Sequence, residues 1–316
     1  MPKVPTASEP RLALLPRRRY PSLCFSSGPS PPMSRTVYVN GSFVPEADAK
    51  VSVFDRAFLF ADGVYEVTAV LGGRPIDLDG HLARLDRSLG EMQIARPLTH
   101  EQLRALHAEL IERNKVEEGV VYLEITRGVA DRDFLYPDPE AVPATVVAFT
   151  QSRPLLDNPY AVSGVKVITL PDLRWKRRDI KSISLLAQTM GKQEAKRRGA
   201  YEAWMVEDGF VTEGTSSTAF IFDVNGCIRT QPLGHHILPG VTRRAVLRLA
   251  ETGGLTIEER PFTVAEAVQA REAFLTAASA FVLPVVKIDG SPIGDGRPGP
   301  VAREFRRIYI EEASKG

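Results

Sequence analysis

Cysteine is scarce in this chain: Cys24 and Cys227 are its two cysteines in 316 residues, with no CxxC and no paired spacing. That argues against a disulfide framework and against a zinc site, and it suits a reducing cytosol. An excess of charge is missing as well. Forty Lys and Arg against 39 Asp and Glu leave a formal net charge of +1, which gives no reason to expect nucleic acid or an anionic membrane as partner. No apolar run approaches the roughly 20 residues needed to cross a bilayer. No internal repeat or low-complexity tract occurs within 34–316. What remains is an ordinary globular composition, 43% apolar and 25% charged, with length enough for two domains or one large one.

Residues 1–33 do not read as part of a fold. Prolines recur through them, with Arg17-Arg18-Arg19 and Ser26-Ser27 between, and such a stretch cannot bury enough apolar surface to offset its ordering entropy. Basic, Ser-containing and poor in acids, the stretch has the composition of an organelle transit peptide. Met33, however, begins Met-Ser-Arg-Thr-Val-Tyr-Val-Asn-Gly, which reads like a natural start. A disordered or non-native extension is the preferred expectation.

From Val37 the pattern becomes strand-like. Val37-Tyr38-Val39, the turn signal Asn40-Gly41 and Ser42-Phe43-Val44 predict a hairpin. A β-branched run over 64–71 ends at Gly72-Gly73. Leu82, Leu85, Leu89 and Met92 then recur on one helical face, and Leu103, Leu106, Leu110 and Ile111 mark a second helix after Thr99. Thr99 is its expected N-cap, with Glu101 and Gln102 read as one position short of a strict capping box. Strands at 120–126 and 144–149 complete an α+β domain over 34–150. A Pro-containing stretch without periodicity at 151–160 is the expected linker. Over 161–316 the pattern predicts strands at 165–170, 202–206, 218–222 and 227–230, with helices at 185–198, 241–251 and 300–312. Asp289-Gly290 is a further hairpin turn.

One stretch carries unusual chemistry. In Asp179-Ile180-Lys181-Ser182 a lysine sits before an apolar run and just after Arg174, Trp175, Lys176, Arg177 and Arg178. An amine is a nucleophile and a base only when neutral, and both desolvation and nearby cations push it that way. On its own the stretch also reads as a surface lysine ending a strand. Four further stretches lie around it in order: Ala61-Asp62-Gly63-Val64-Tyr65-Glu66, His81-Leu82-Ala83-Arg84-Leu85, Thr212-Glu213-Gly214-Thr215-Ser216-Ser217 and Leu238-Pro239-Gly240-Val241-Thr242-Arg243. Each is weak alone. Together, at these spacings, they resemble the class IV (fold-type IV) aminotransferases, which use pyridoxal 5'-phosphate; the resemblance covers about residues 35–310.

That resemblance implies a two-domain α/β fold with the active site between the domains. It implies that Lys181 holds the cofactor as a Schiff base and then moves the proton between substrate Cα and cofactor C4′. It sets Glu213 against the pyridine nitrogen, the acidic partner that keeps the ring electron-accepting. Arg84 matches the phosphate arginine, Val241 and Thr242 open a helix whose amides suit an anion, and Leu238 matches the apolar residue against the ring. The third phosphate segment, Thr/Ser-rich in the family, reads Thr276-Ala277-Ala278-Ser279; Ala277 and Ala278 keep backbone donors but bring no hydroxyls.

Within the family, Tyr65, Arg174-Trp175 and Gly191-Lys192-Gln193-Glu194-Ala195 look closest to the D-amino-acid enzymes. There a tyrosine, an arginine and a histidine trap the substrate carboxylate, the last two on a loop lent by the other subunit of a homodimer. Tyr65 and Arg132 keep two of these positions, while Phe134 stands in the histidine's place. Asp131 and Asp133 flank the arginine and weaken it as a carboxylate fork. The expected reaction is amino transfer between a D-amino acid and a 2-oxo acid. The alternatives are an (R)-amine or branched-chain aminotransferase, aminodeoxychorismate lyase, or a catalytically silent binding protein on the same scaffold.

Overall fold

The computed structural model describes residues 35–315, so the expectation for 1–33 lies outside the described residues. The first sheet contains β1 (Thr36–Val39), β2 (Ser42–Pro45), β3 (Gly63–Leu71), β4 (Arg74–Pro75), β5 (Glu118–Thr126) and β6 (Thr145–Ser152), in the spatial order β2-β1-β6-β5-β3-β4. All its pairings are antiparallel. Three helices belong to this part of the chain: α1 (Arg56–Phe60), α2 (Leu78–Glu91) and α3 (His100–Arg113). The β1–β2 hairpin turns where expected, with Asn40 and Gly41 both at positive φ.

Alternation along β3 and β5 decides which side chains face the helices. Val64, Glu66, Thr68 and Val70 share a face with Val121, Leu123 and Ile125 across the ladder. This face meets Leu82, Leu85 and Leu89 of α2 and Leu103, Leu106, Leu110 and Ile111 of α3, the stripes read from the sequence. Tyr65 and Val67 project to the other side, toward the cavity described below. Thr99 caps α3, and here the sequence reading is corrected. Gln102 is the third residue of the helix, its backbone N–H donates to Thr99 Oγ1, and its side chain accepts from the Thr99 N–H. The capping box is complete.

The second sheet takes the remaining strands: β7 (Val165–Pro171), β8 (Glu202–Glu207), β9 (Phe210–Gly214), β10 (Thr218–Phe222), β11 (Cys227–Thr230), β12 (Thr256–Glu259), β13 (Glu272–Ala277), β14 (Phe281–Ile288) and β15 (Ser291–Pro292). The order is β12-β11-β10-β13-β14-β7-β8-β9, with β15 on β14; β14, β7 and β8 run parallel. Its helices are α4 (Pro159–Ser163), α5 (Leu186–Arg197), α6 (Val241–Thr252), α7 (Val264–Gln269) and α8 (Pro300–Lys315). Apolar side chains cover both faces: Phe220, Phe274 and Phe281 pack with α6 and α8, while Val165, Trp204, Leu275 and Leu283 form a core with Phe262. The mixed α/β architecture agrees with the expectation, although the sequence patterns announce none of α1, α4, α7, β9, β12 and β13. The described residues, 35–315, group as one compact unit.

A polar cluster interrupts the first core. His107 on α3 donates from Nδ1 to the Leu103 carbonyl at 2.7 Å, and its Nε2 is buried without a partner among the described residues. Burial therefore holds its pKa down, to about 4. The unfolded chain takes up a proton near pH 6.5 that the folded chain refuses. Stability is thus intact above pH 6.5 and is lost as the pH falls toward 4. The loss from this residue is expected to be about 3 kcal/mol. Urea unfolding between pH 4.5 and 7.5 checks it: His107→Leu should give a shallower profile, and superimposable profiles would sink the assignment.

Candidate active site

Lys181 reaches the cavity because the segment around it is tied down on both sides. Asp179 is buried and accepts from Arg87 at 2.5 Å and from Arg177 at 3.1 Å; Ile180 enters the first core. The open edge of β3 then takes up residues 181–183. The Tyr65 N–H donates to the Lys181 carbonyl at 3.0 Å, and the Ile183 N–H donates to Gly63 at 3.1 Å. The lysine of one half of the chain is thereby stitched onto a strand of the other. Its Nζ lies 4.3 Å from the centre of the Tyr65 ring.

Around it the cavity is lined by Tyr65, Arg84, Glu213, Leu238, Val241, Thr242, Ala277 and Ala278. These are all the residues picked out as catalytic or cofactor-binding, together with one of the three substrate residues. Arg132 and Phe134 are not among them.

Arg84 is one pole of the cavity. Its Nε and Nη2 donate to the two oxygens of Glu66 at 2.8 and 2.7 Å, its Nη1 donates to the Pro239 carbonyl at 3.1 Å, and His81 Nδ1 meets Glu66 at 2.7 Å. The group is buried. Burial alone would raise the Glu66 carboxyl, but Arg84 and then His81 hold it well below the usual carboxylate range. Burial likewise keeps His81 low, against the pull of Glu66. The guanidinium is therefore fixed and stays charged, with hydrogens left over for a further acceptor.

Nearby, Gly240 leads into α6 without a side-chain cap, so the first amides of that helix face outward unpaired. Two buried hydroxyl oxygens on the cavity wall, Thr242 Oγ1 and Thr276 Oγ1, have no hydrogen-bond partner among the described residues. Orphaned donors beside a fixed arginine and a helix N-terminus are the chemistry of an anion site, and a phosphate fits it. Ala277 and Ala278 line the cavity without hydroxyls, as read. Thr276, in the same segment, supplies one that the sequence reading did not assign.

Glu213 is the other pole. It lies next to the last residue of β9, buried and paired with Arg174, and accepts from the Leu238 N–H at 3.2 Å. Arg174 is in turn held by Asp172 at 2.6 Å. Burial pushes the Glu213 carboxyl up while Arg174 opposes it. The basic run thus divides: Arg174, Trp175 and Arg178 line the cavity, while Lys176 is exposed. That Arg174 chooses Glu213 was not legible, since nothing local links residues 39 positions apart. An acidic pole, an anion pole and a lysine amine in one cavity are the donor set that pyridoxal phosphate requires, and the residues fit it.

The loop bearing Arg132 goes elsewhere. Asp62 is buried between Arg56 and Arg127, at 2.7 and 2.8 Å, and Arg56 also donates to the carbonyls of Asp133 and Leu135. Arg127 lies 3.5 Å from the Tyr136 ring centre. The loop is pinned on α1 and points its tip outward: Phe134 and Leu135 are both 77% exposed. Arg132 makes no ion pair with Asp131 or Asp133 among the described residues; it rests over the rings of Phe60 and Phe134. Pairing with the flanking aspartates therefore does not explain it.

The sequence model of the family described as amino-transferase class IV matches residues 63–288. The chain is 38% identical over 283 residues to the D-alanine aminotransferase of Staphylococcus aureus (strain MSSA476), covering 88% of this chain and 99% of that protein. It is 39% identical over 270 residues to that of Bacillus licheniformis, covering 85% and 94%. Among solved structures, the branched-chain amino acid aminotransferase of T.th., with pyridoxamine 5'-phosphate, superposes with a TM-score of 0.81 at 27% identity, covering 89% of this chain and 95% of that one.

Proposed function

The chain belongs to the class IV aminotransferases, and from that membership we propose that it moves an amino group between a D-amino acid, such as D-alanine, and a 2-oxo acid, with pyridoxal 5'-phosphate as cofactor. The observation that carries the reading is the Lys181 amine over Tyr65 in a cavity with an anion pole at Arg84 and an acidic pole at Glu213. Relatives with the D-alanine activity, similar over nearly their whole length, support the substrate class.

When bound, pyridoxal phosphate supplies a carbonyl that exchanges with amines and a ring that accepts electrons from the substrate Cα–H bond. The chain does the rest. Arg84, the first amides of α6, Thr242 and Thr276 hold the phosphate. The Glu213 carboxyl, kept in place by Arg174 and the Leu238 amide, meets the pyridine nitrogen. Leu238 packs on the ring. Lys181 Nζ would hold the cofactor at its carbonyl carbon and, as a free amine, would carry the proton from the substrate Cα to cofactor C4′, across the intervening nitrogen, a transfer its tether on β3 keeps within reach. Tyr65 stands beside that amine and takes the substrate carboxylate.

We extend the reading to a homodimer in a reducing cytosol, with residues 34–150 and 161–316 as two domains joined at 151–160. The exposed apolar tip at Phe134 and Leu135 supports a second copy as its cover. Arg132 then serves the neighbouring site, with Phe134 in place of a histidine. No described helix is long and apolar enough to cross a membrane.

The test is a donor screen with D-alanine, L-valine, L-leucine and (R)-1-phenylethylamine against pyruvate and 2-oxoglutarate. D-Alanine should give the highest kcat/KM. Preference for L-valine or L-leucine would overturn the D-specific reading. Strong turnover of the carboxylate-free amine would point to Phe134 having removed the need for a carboxylate trap.

A further inference from the structure

Glu202, the first residue of β8, is fully buried and does not line the cavity. Its carboxylate nevertheless accepts from three consecutive hydroxyls that do. Thr215 Oγ1 and Ser216 Oγ both lie 3.2 Å from Oε2, and Ser217 Oγ donates to Oε1. Lys192 Nζ on α5, 3.4 Å from Oε2, supplies the counter-charge. Gly214 leaves the space for this approach, because a Cβ there would run into both Ser217 Oγ and Glu202 Oε1.

A hydroxyl has one hydrogen and two lone pairs, and an ionised carboxylate only accepts. A hydroxyl that has given its hydrogen to Glu202 can offer nothing but lone pairs to the cavity. These charge-assisted bonds are about twice as strong as neutral ones, so the orientation is held. The wall at residues 215–217 is then an acceptor surface. Free donors for an anion remain at Arg84, α6 and Thr276.

We propose that Glu202 is a positioning residue for the cofactor cavity: by taking the hydroxyl hydrogens of Thr215, Ser216 and Ser217 it makes that wall repel anions and accept N–H and O–H groups, so that a phosphorylated ligand seats in one direction only. The proposal rests on the reading that this cavity takes pyridoxal phosphate.

Titration of the full chain with pyridoxal phosphate, followed by absorbance, gives the test. Glu202→Gln, which keeps the shape but sets an N–H donor where one oxygen accepted and so turns the hydroxyl facing it back toward the cavity, should weaken binding about tenfold and shift the visible band of the bound cofactor. Ser217→Ala should weaken it less, and the double variant no more than Glu202→Gln alone, because Ser217 acts through its bond to Glu202, which holds Thr215 and Ser216 as well. Losses that simply add would overturn the proposal, as would a lowered Tm in Glu202→Gln with binding and band unchanged. Should Glu202→Gln fail to fold, Ser217→Ala and Thr215→Val decide the matter: each is expected to weaken binding about threefold, and no change in either overturns it. If the unaltered chain does not bind the cofactor at all, the proposed function falls and takes this inference with it. Binding by the unaltered chain and equally by Glu202→Gln removes this inference alone.

Discussion

Lys181→Ala is expected to lower amino transfer by about 10⁴-fold or more and to abolish the visible absorption of the bound cofactor. The magnitude follows from the two tasks assigned to one amine. General acid–base transfer by a positioned side chain contributes about 10²–10⁴-fold, and covalent attachment adds to it. No neighbour can substitute, because no other lysine lines the cavity among the described residues. Lys176 is exposed, and Lys192 is engaged with Glu202. The fold should survive, since the bonds that stitch residue 181 to β3 and to Ser88 are made by its backbone. Steady-state kinetics, an absorbance spectrum and a thermal melt test all three statements. Full activity in the variant would end the assignment of Lys181, and a colourless unaltered chain after incubation with pyridoxal phosphate would favour the silent scaffold.

Arg84→Leu should damage stability and cofactor binding together, and the two effects can be separated. Removing the guanidinium leaves Glu66 buried without its bidentate partner, and breaking a buried pair from one side costs about 3–5 kcal/mol. Replacing both members by apolar groups is far milder. Glu66→Leu with Arg84→Leu should therefore recover most of the unfolding free energy measured in urea. Affinity for pyridoxal phosphate should stay low in both variants, because the anion pole has lost its one fixed cation from α2. Recovery of affinity in the double variant would show that Arg84 only balances Glu66. An unchanged unfolding midpoint in the single variant would show that the buried pair is not worth its geometry.

Both arguments use residues that local sequence could nominate, and the reason is physical. Helix stripes, glycine turns and caps are short-range consequences of residue type. The stripe Leu82, Leu85, Leu89 and the hairpin at Asn40-Gly41 therefore appeared where the pattern put them. The motif residues Lys181, Glu213, Arg84, Thr242 and Tyr65 converge on one cavity. Arg132 and Phe134 do not, because Arg56, Asp62 and Arg127 pin their loop on α1 and turn its tip outward. The capping box at Thr99 is of the same local kind. Gln102 occupies the third helical position, and its two hydrogen bonds with Thr99 follow from that spacing alone.

By itself the sequence determined the residue types a pyridoxal phosphate site needs, their order, and the α/β class of the chain. Tertiary structure alone decided which charged groups face one another. Arg174 could have met any carboxylate, and strand register delivers Glu213. Glu202 reads as an ordinary strand residue until the β8–β9 pairing and the turn after it bring three hydroxyls onto its oxygens. Glu272 on β13 caps the start of α8, about 30 residues on, through the amides of Val301 and Ala302. Partner choice among buried polar groups depends on which elements are adjacent and in what register, and neither is written in a short stretch of chain. Lys181 shows both sides: its motif is local, but its place at the open edge of β3, over Tyr65, exists only once the two halves of the chain have met.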